Sequence, residues 1–207
     1  YAAEASAANC KRCRPKPGRK SGKSVAIIGG GPAGISAAYF LRKIGHAVTI
    51  FEAKSEIGGM LMWGIPAYRL PKDVLKAEIE AITEMGIAIH FSQRWGQDFS
   101  IADLKKQGFD AVFIAPGAPK STSLHVKGEH LKGVMGGIEF LDKVAHGEKI
   151  KLPERTVVVG GGDTAIDCAR TARRLGAEEV IILYRRTRAE MPALDIEVKE
   201  AEEEGIK

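Results

Sequence analysis

Gly29, Gly31 and Gly34 stand at the spacing Gly-x-Gly-x-x-Gly directly behind an apolar run, in Val25-Ala-Ile-Ile-Gly-Gly-Gly-Pro-Ala-Gly34. At such a turn the first glycine permits the tight bend, the second lets main chain approach a pyrophosphate, and the third allows close helix–strand packing. Pro32 and Ala33 open the helix whose free N–H groups and positive dipole end would face the phosphates. Eighteen residues after Gly34, Glu52 closes the next apolar run, followed by Ala53 and Lys54. A carboxylate there can accept hydrogen bonds from both ribose hydroxyls and repels a 2′-phosphate, which points to FAD or NAD and away from NADP. The pattern recurs in Val157-Val-Val-Gly-Gly-Gly-Asp-Thr-Ala165, with Gly160, Gly162 and Ala165 at the three turn positions and Asp163 and Thr164 opening the helix. Here the tip of the second strand carries no acid; Tyr184 is followed by Arg185 and Arg186. Two guanidiniums can clamp a 2′-phosphate with paired, charge-assisted hydrogen bonds, so this site reads as NADP(H)-specific. The plainer alternatives are a glycine turn with a surface Glu and a solvated strand end bearing an Arg pair.

One glycine turn is weak evidence, but the surroundings match as well. Behind each turn come a basic pair, an apolar residue and a glycine (Arg42-Lys43-Ile44-Gly45; Arg173-Arg174-Leu175-Gly176), then a second apolar run. The pattern predicts a parallel strand over 25–28, a helix from Pro32 to about Ile44 and a strand over 47–51, the first strand continuously apolar because both faces are covered. Pro71 suits the first turn of a helix that presents Val74, Leu75, Ile79, Ile82 and Met85 and stops at Gly86. Ile87, Ile89 and Phe91 alternate as a strand, Ser100 can cap a short helix, and residues 111–115 read as another buried strand. A loop-rich stretch over 116–154 holds a short helix near 138–145. After the second turn come a helix, a strand over 180–184, a Glu-rich helix ending at Gly205, and the start of a further strand near Ile206. The fold expected is α/β, two Rossmann-like dinucleotide-binding units with parallel sheets, the second incomplete. The divisions expected are a basic leader over 1–24, an FAD-binding domain over 25–152 and the first half of an NAD(P)H-binding domain over 153–207. The opening on Tyr1 and the unfinished βαβαβ unit at Lys207 read as a piece of something longer.

Bulk composition narrows the classes further. With 44% hydrophobic and 28% charged residues the chain is an ordinary globular sequence. It has no apolar run long enough to span a membrane and no secretory core. Three cysteines (Cys10, Cys13, Cys168) form no disulfide framework, which suits a reducing cytoplasm. The net charge of +5 concentrates in the leader, where seven Lys or Arg lie between Lys11 and Lys23 without an acid. Pro15, Pro17 and Gly18 interrupt it, and no aromatic offers a stacking platform, so it reads as a solvated linker and nucleic acid is not expected. Gly22-Lys23-Ser24 resembles the end of a P-loop, but Pro17 stands where the first glycine belongs and no strand precedes it.

Longer stretches carry a family resemblance. Gly58-Gly-Met-Leu-Met-Trp-Gly-Ile-Pro-Ala-Tyr-Arg-Leu-Pro-Lys72, Gly160-Gly-Gly-Asp-Thr-Ala-Ile-Asp-Cys-Ala-Arg170, Tyr184-Arg-Arg186 and Met191-Pro-Ala193 resemble the glutamate synthase small-subunit family of flavoproteins. That family includes the matching portion of dihydropyrimidine dehydrogenase and NADPH:ferredoxin-type transhydrogenase subunits. The resemblance runs from about Lys23 to the last residue. It implies FAD at the first site and NADPH at the second. It places Gly58, Gly59 and the stretch from Leu61 to Gly64 on the flavin side with Arg69 nearby, and Trp63 and Met62 read equally well as core. It makes Ala115-Pro116-Gly117 the turn toward the second domain, with Gly117 a cofactor neighbour. Pro116 departs from the family's usual Thr and removes a backbone donor. Iron–sulfur centres or a large catalytic subunit of a partner would accept the electrons; a transhydrogenase or heterodisulfide-type electron-distributing subunit and a nucleotide-binding fragment without turnover remain as alternatives. In the family a C-terminal segment completes the flavin site, and N-terminal cysteines bind [4Fe–4S] clusters, which leaves Cys10 and Cys13 between cluster ligands and a solvent-exposed remnant. No metal site is assigned. No side chain is nominated as acid, base or nucleophile, because hydride transfer is the cofactors' chemistry.

Overall fold

The structure, a computed structural model, describes residues 15–207; Cys10 and Cys13 lie outside the described residues. The chain divides into two compact units. One runs to Met62 and resumes over Ala67–Ala118; the other takes Trp63–Pro66 and Pro119–Lys207.

The first unit is built on four parallel strands, β1 (Ser24–Ile28), β2 (Ala47–Phe51), β3 (Ile87–His90) and β4 (Ala111–Ile114), in the order β3-β2-β1-β4. Ser24 pairs with Ala47, Val25 with Ala111 and Val48 with Ile87. The strand order reverses at β1, whose neighbours β2 and β4 follow it in sequence by different routes. The crevice at the carboxyl ends of β1 and β4 is therefore the topological switch point, where open α/β sheets bind ligands. Helix α1 (Pro32–Lys43) leaves β1 with Gly31 as N-cap, Pro32 in its first turn, and Arg42 and Lys43 in its last. These placements suit the missing N–H of proline and the helix dipole. A single helical turn, α2 (Met60–Trp63), precedes α3 (Lys72–Thr83), which buries Leu75 and Ile79. Ser100 caps α4 (Ile101–Lys106) in a reciprocal capping box with Asp103.

Two expectations need correction in this unit. The alternating strand ends at His90 and does not reach Phe91. Residues 111–115 do not form a buried strand: Phe113 is 42% and Ile114 47% exposed. The reason is position, since β4 is the edge strand of the sheet and α4 packs beside it.

The second unit holds α5 (Gly137–Ala145), β5 (Arg155–Val159), α6 (Asp163–Arg174), β6 (Glu179–Leu183) and α7 (Asp195–Glu203). Strands β5 and β6 run parallel with Arg155 opposite Glu179. Beyond α7 the Lys207 N–H donates to Val180 O (3.0 Å) and Lys207 O accepts from Ile182 N–H (2.7 Å), the start of parallel pairing along β6. Ile166, Cys168, Ala169 and Ala172 of α6 pack with Phe140 and Leu141 of α5 and Val198 and Ala201 of α7. Helix α5 thus shares a core with α6, the helix behind the second glycine turn, and the contact division falls after Ala118, not at 152/153. The buried Arg170 guanidinium ties α6 to α7, donating to Glu197 (3.1 Å), Glu200 (2.6 Å) and Glu204 (2.9 and 3.0 Å).

Candidate functional site

The turn after β1 is shaped by close backbone approach. Gly29 has φ +101°, and a Cβ there would lie 2.2 Å from Ala115 O, the strand-end residue of the neighbouring β4 turn. A Cβ on Gly34 would lie 1.9 Å from Gly29 O, so only glycine lets α1 rest directly on the turn. Glu52, 8% exposed at the end of β2, reaches the same turn: its Oε2 accepts the Gly30 N–H at 2.7 Å. Its Oε1 accepts the Lys54 N–H at 2.8 Å. A carboxylate has about four lone-pair positions, and these two bonds leave acceptor capacity on each oxygen for a pair of ribose hydroxyls. Gly31 and Gly59 face each other backbone to backbone, and a Cβ on Gly59 would stand 2.7 Å from Gly31 Cα. That side-chain-free cradle, the uncapped first turn of α1 and the buried carboxylate suit an adenosine diphosphate moiety such as that of FAD.

The other residues expected near this site are distributed unevenly. Gly58 donates its N–H to Gly30 O (2.8 Å), which brings the Gly58–Gly59 pair onto the turn. Leu61 follows in α2, its carbonyl accepting the Lys72 ammonium at 2.7 Å, and partial burial lowers the Lys72 pKa. Arg69 is half-buried. Gly64 is buried and belongs to the second compact unit. Gly117 is exposed, with φ +70°. Pro116 lies against Gly29, its Cα 3.4 Å from where a Gly29 Cβ would be.

The turn after β5 repeats this plan with different supports. Gly160 has φ +146°, and its N–H donates to Leu183 O at the end of β6 (3.0 Å). The Tyr184 ring covers Gly161, where a Cβ would lie 2.6 Å from the ring. Gly162 caps α6 without a side-chain hydrogen bond and faces Pro192. The segment after β6 is laced to the turn, since Ala193 N–H donates to Gly161 O (3.1 Å) and Leu194 N–H to Asp163 Oδ1 (3.4 Å). Asp163, in the first turn of α6, thus has its carboxylate engaged by the segment above it. Thr164 follows it, and Ala165 is buried with its methyl accommodated beside Gly160. Arg185 and Arg186 project from the tip of β6, both exposed, with Arg186 3.8 Å from Glu190. An uncapped helix start under a glycine turn, beside two exposed guanidiniums, suits a phosphorylated adenosine ribose and its pyrophosphate.

Cys168, on α6 behind the second turn, is 4% exposed. Burial, and after it the Asp167 charge, push its thiol up to about 12, which leaves it protonated and inert as packing. Among the described residues no cluster of His, Cys, Asp or Glu could hold a metal ion, and no helix is long and apolar enough to cross a membrane. Sequence reading missed Glu190. Thr187 and Glu190 form a reciprocal capping box around the short 3-10 helix Arg188–Glu190, and the signal was present as Thr187-Arg-Ala-Glu190.

Comparison with known proteins agrees with this geometry. The family model described as pyridine nucleotide-disulphide oxidoreductase, a family that binds FAD and NAD(P), matches residues 23–207. The chain is 51% identical over 189 residues to the NADP(+)-dependent formate dehydrogenase subunit beta of Moorella thermoacetica, covering 90% of this chain and 27% of that protein. It is 40% identical over 199 residues to the glutamate synthase [NADPH] small chain of Escherichia coli (strain K12), covering 91% of this chain and 42% of that one. The chain therefore spans less than half the length of these relatives. Among solved structures, the Mycobacterium tuberculosis oxidoreductase FprA superposes with a TM-score of 0.76 at 23% identity, over 89% of this chain and 48% of that one, and shows the same fold. The α/β fold with dinucleotide-binding units and the resemblance to the glutamate synthase small-subunit group are both upheld. This chain belongs to the pyridine nucleotide-disulphide oxidoreductase family.

Proposed function

We propose that the chain is the nucleotide-binding part of an oxidoreductase component, with FAD at the turn after β1 and NADPH at the turn after β5. The observation that carries this is the contrast between the two strand tips. Glu52 is buried and held at its own glycine turn, whereas Arg185 and Arg186 are exposed beside theirs. When bound, the cofactors supply the redox chemistry, a hydride passing from reduced nicotinamide to flavin. The chain's residues bind and orient. Glu52, fixed by the Gly30 and Lys54 N–H groups, takes the ribose hydroxyls of FAD. The first-turn N–H groups of Ala33 and Gly34 meet its pyrophosphate, as that of Thr164 meets the pyrophosphate of NADPH. Arg185 and Arg186 grip the 2′-phosphate.

Electrons then leave to a partner, in this reading an iron–sulfur or large catalytic subunit; that the relatives are named as a subunit beta and a small chain supports a partner subunit. Identity to the formate dehydrogenase subunit exceeds that to the glutamate synthase chain, which favours a second reading, an electron-distributing subunit with a different terminal acceptor.

The test replaces Arg185 and Arg186 by Ala in the full chain. NADPH affinity should fall about tenfold or more, while NADH affinity holds. Equal losses would contradict the assignment. A full chain that binds NADPH but carries no flavin would leave a nucleotide-binding module without turnover.

A further inference from the structure

The segment between β6 and α7 carries an anion that two arginines alone do not explain. We propose that Glu190 sets the strength of 2′-phosphate discrimination at the second site. It stands beside Arg186 where a phosphorylated ribose must seat its charge, and it offers an unphosphorylated ribose a hydrogen-bond acceptor. This rests on the reading of Arg185 and Arg186 as the 2′-phosphate corner.

Three observations fix the carboxylate in place. Glu190 Oε2 accepts both the N–H (3.2 Å) and the hydroxyl (3.0 Å) of Thr187, the first of these being one half of the capping box. The Glu190 main-chain carbonyl accepts the Tyr184 hydroxyl at 3.0 Å, and the Tyr184 ring is the one that covers Gly161. The carboxylate is thereby registered to the glycine turn through one side chain. Its remaining oxygen, Oε1, faces Arg186 Nη1 at 3.8 Å. That distance is an ion contact and too long for a hydrogen bond, so Arg186 is restrained without being consumed.

The neighbouring charges leave Glu190 to act on Arg186. Arg188 is paired with Glu202 across the segment. Asp163 is turned to the Leu194 N–H. Arg185 is exposed and holds no ion pair among the described residues. A 2′-phosphate arriving between Arg185 and Arg186 displaces the Arg186–Glu190 contact and then lies beside a carboxylate that Thr187 prevents from swinging away. Both effects weaken the phosphorylated nucleotide. Neither touches an unphosphorylated one, whose 2′-hydroxyl can donate to Oε1. Because Arg186 and Glu190 are both half-exposed, water and salt limit the effect to a few-fold.

Glu190→Gln isolates the charge, since glutamine serves a capping box as glutamate does. The experiment titrates 2′,5′-ADP and 5′-AMP calorimetrically into the FAD-loaded full chain at low and high salt. Wild type, E190Q and the Arg185→Ala/Arg186→Ala double variant are compared. In E190Q, 2′,5′-ADP should bind about threefold more tightly at low salt, shrinking at high salt, while 5′-AMP binds no better. An equal change for both nucleotides, or no gain for 2′,5′-ADP, overturns the role of Glu190. If the double variant loses 2′,5′-ADP selectively while E190Q shows no gain, the arginine corner stands and Glu190 alone is dismissed. If the double variant loses both nucleotides equally, the arginine reading and the Glu190 inference fall together.

Discussion

Glu52 does two things with one side chain. In the proposed function it offers acceptors to a ribose, and it closes the turn after β1 by taking the Gly30 and Lys54 N–H groups. Glutamine is nearly the same size but replaces one acceptor oxygen with a donor nitrogen. In Glu52→Gln one of those N–H groups must face an amide N–H, a mismatch that costs about 1–3 kcal/mol at a buried site. The expected outcome is a lower urea midpoint and weaker FAD binding together; a midpoint that does not move would show that these bonds do not hold the turn. The dual role was half legible in the sequence. Spacing and residue type place an acid at the strand tip, but nothing in the letters says that the acid also bonds to the turn it serves. Glu190 was hidden for a related reason. Its capping signature, Thr187-x-x-Glu190, lay in plain view but marks only a helix start. Its nearness to Arg186 appears only when the short helix is folded.

Helices α1 and α6 leave their strands by the same route yet differ in how tightly they rest on the turn. At Gly34 an added methyl would meet Gly29 O at 1.9 Å, whereas Ala165, at the matching position, is already an alanine and is buried without conflict. Gly34→Ala should therefore force α1 away from the sheet and cost about 3 kcal/mol or more. Ala165→Gly should cost only about 1 kcal/mol, the usual penalty of glycine in a helix. Chemical denaturation of the two variants side by side checks the asymmetry, and comparable losses would refute it. The long elements were readable because their period extends over two or more turns, as in α1, α3 and α6. Single-turn elements were not. Met60–Trp63 and Arg188–Glu190 are too short to establish a period. The exposure of β4 was also beyond reach, since an apolar run does not reveal whether its strand lies at an edge.

At the scale of the whole molecule, a few surface carboxyls that hold ion pairs are kept below their ordinary range. A hydrogen bond from Lys23, reinforced by the Ser24 N–H, brings Asp110 down to about 2. Glu179 is lowered by Lys207 and Arg155, and Glu204 by Arg174, then Arg170. Each is a carboxyl whose folded pKa lies below its unfolded value of 3.8 or 4.5. Their stabilisation is complete above the unfolded values and is lost as pH falls through the folded ones. The denaturation midpoint should hold steady down to about pH 5 and decline toward pH 2, with Asp110→Asn showing a shallower decline. A profile flat to pH 2 would contradict the pairings. At this scale the repeated glycine pattern correctly announced two nucleotide folds, but it could not assign the stretch between them. Only packing shows that α5 shares a core with α6. The two strand tips also have unequal freedom to evolve. Glu52 is a structural post as well as the proposed selector, so exchanging it endangers the fold. In the later half Tyr184 supplies the buttress against Gly161, while Arg185 and Arg186 project outward. On the proposed reading, one or two substitutions would change coenzyme preference there and leave the turn standing, whereas the same change at the earlier pocket would also loosen its turn.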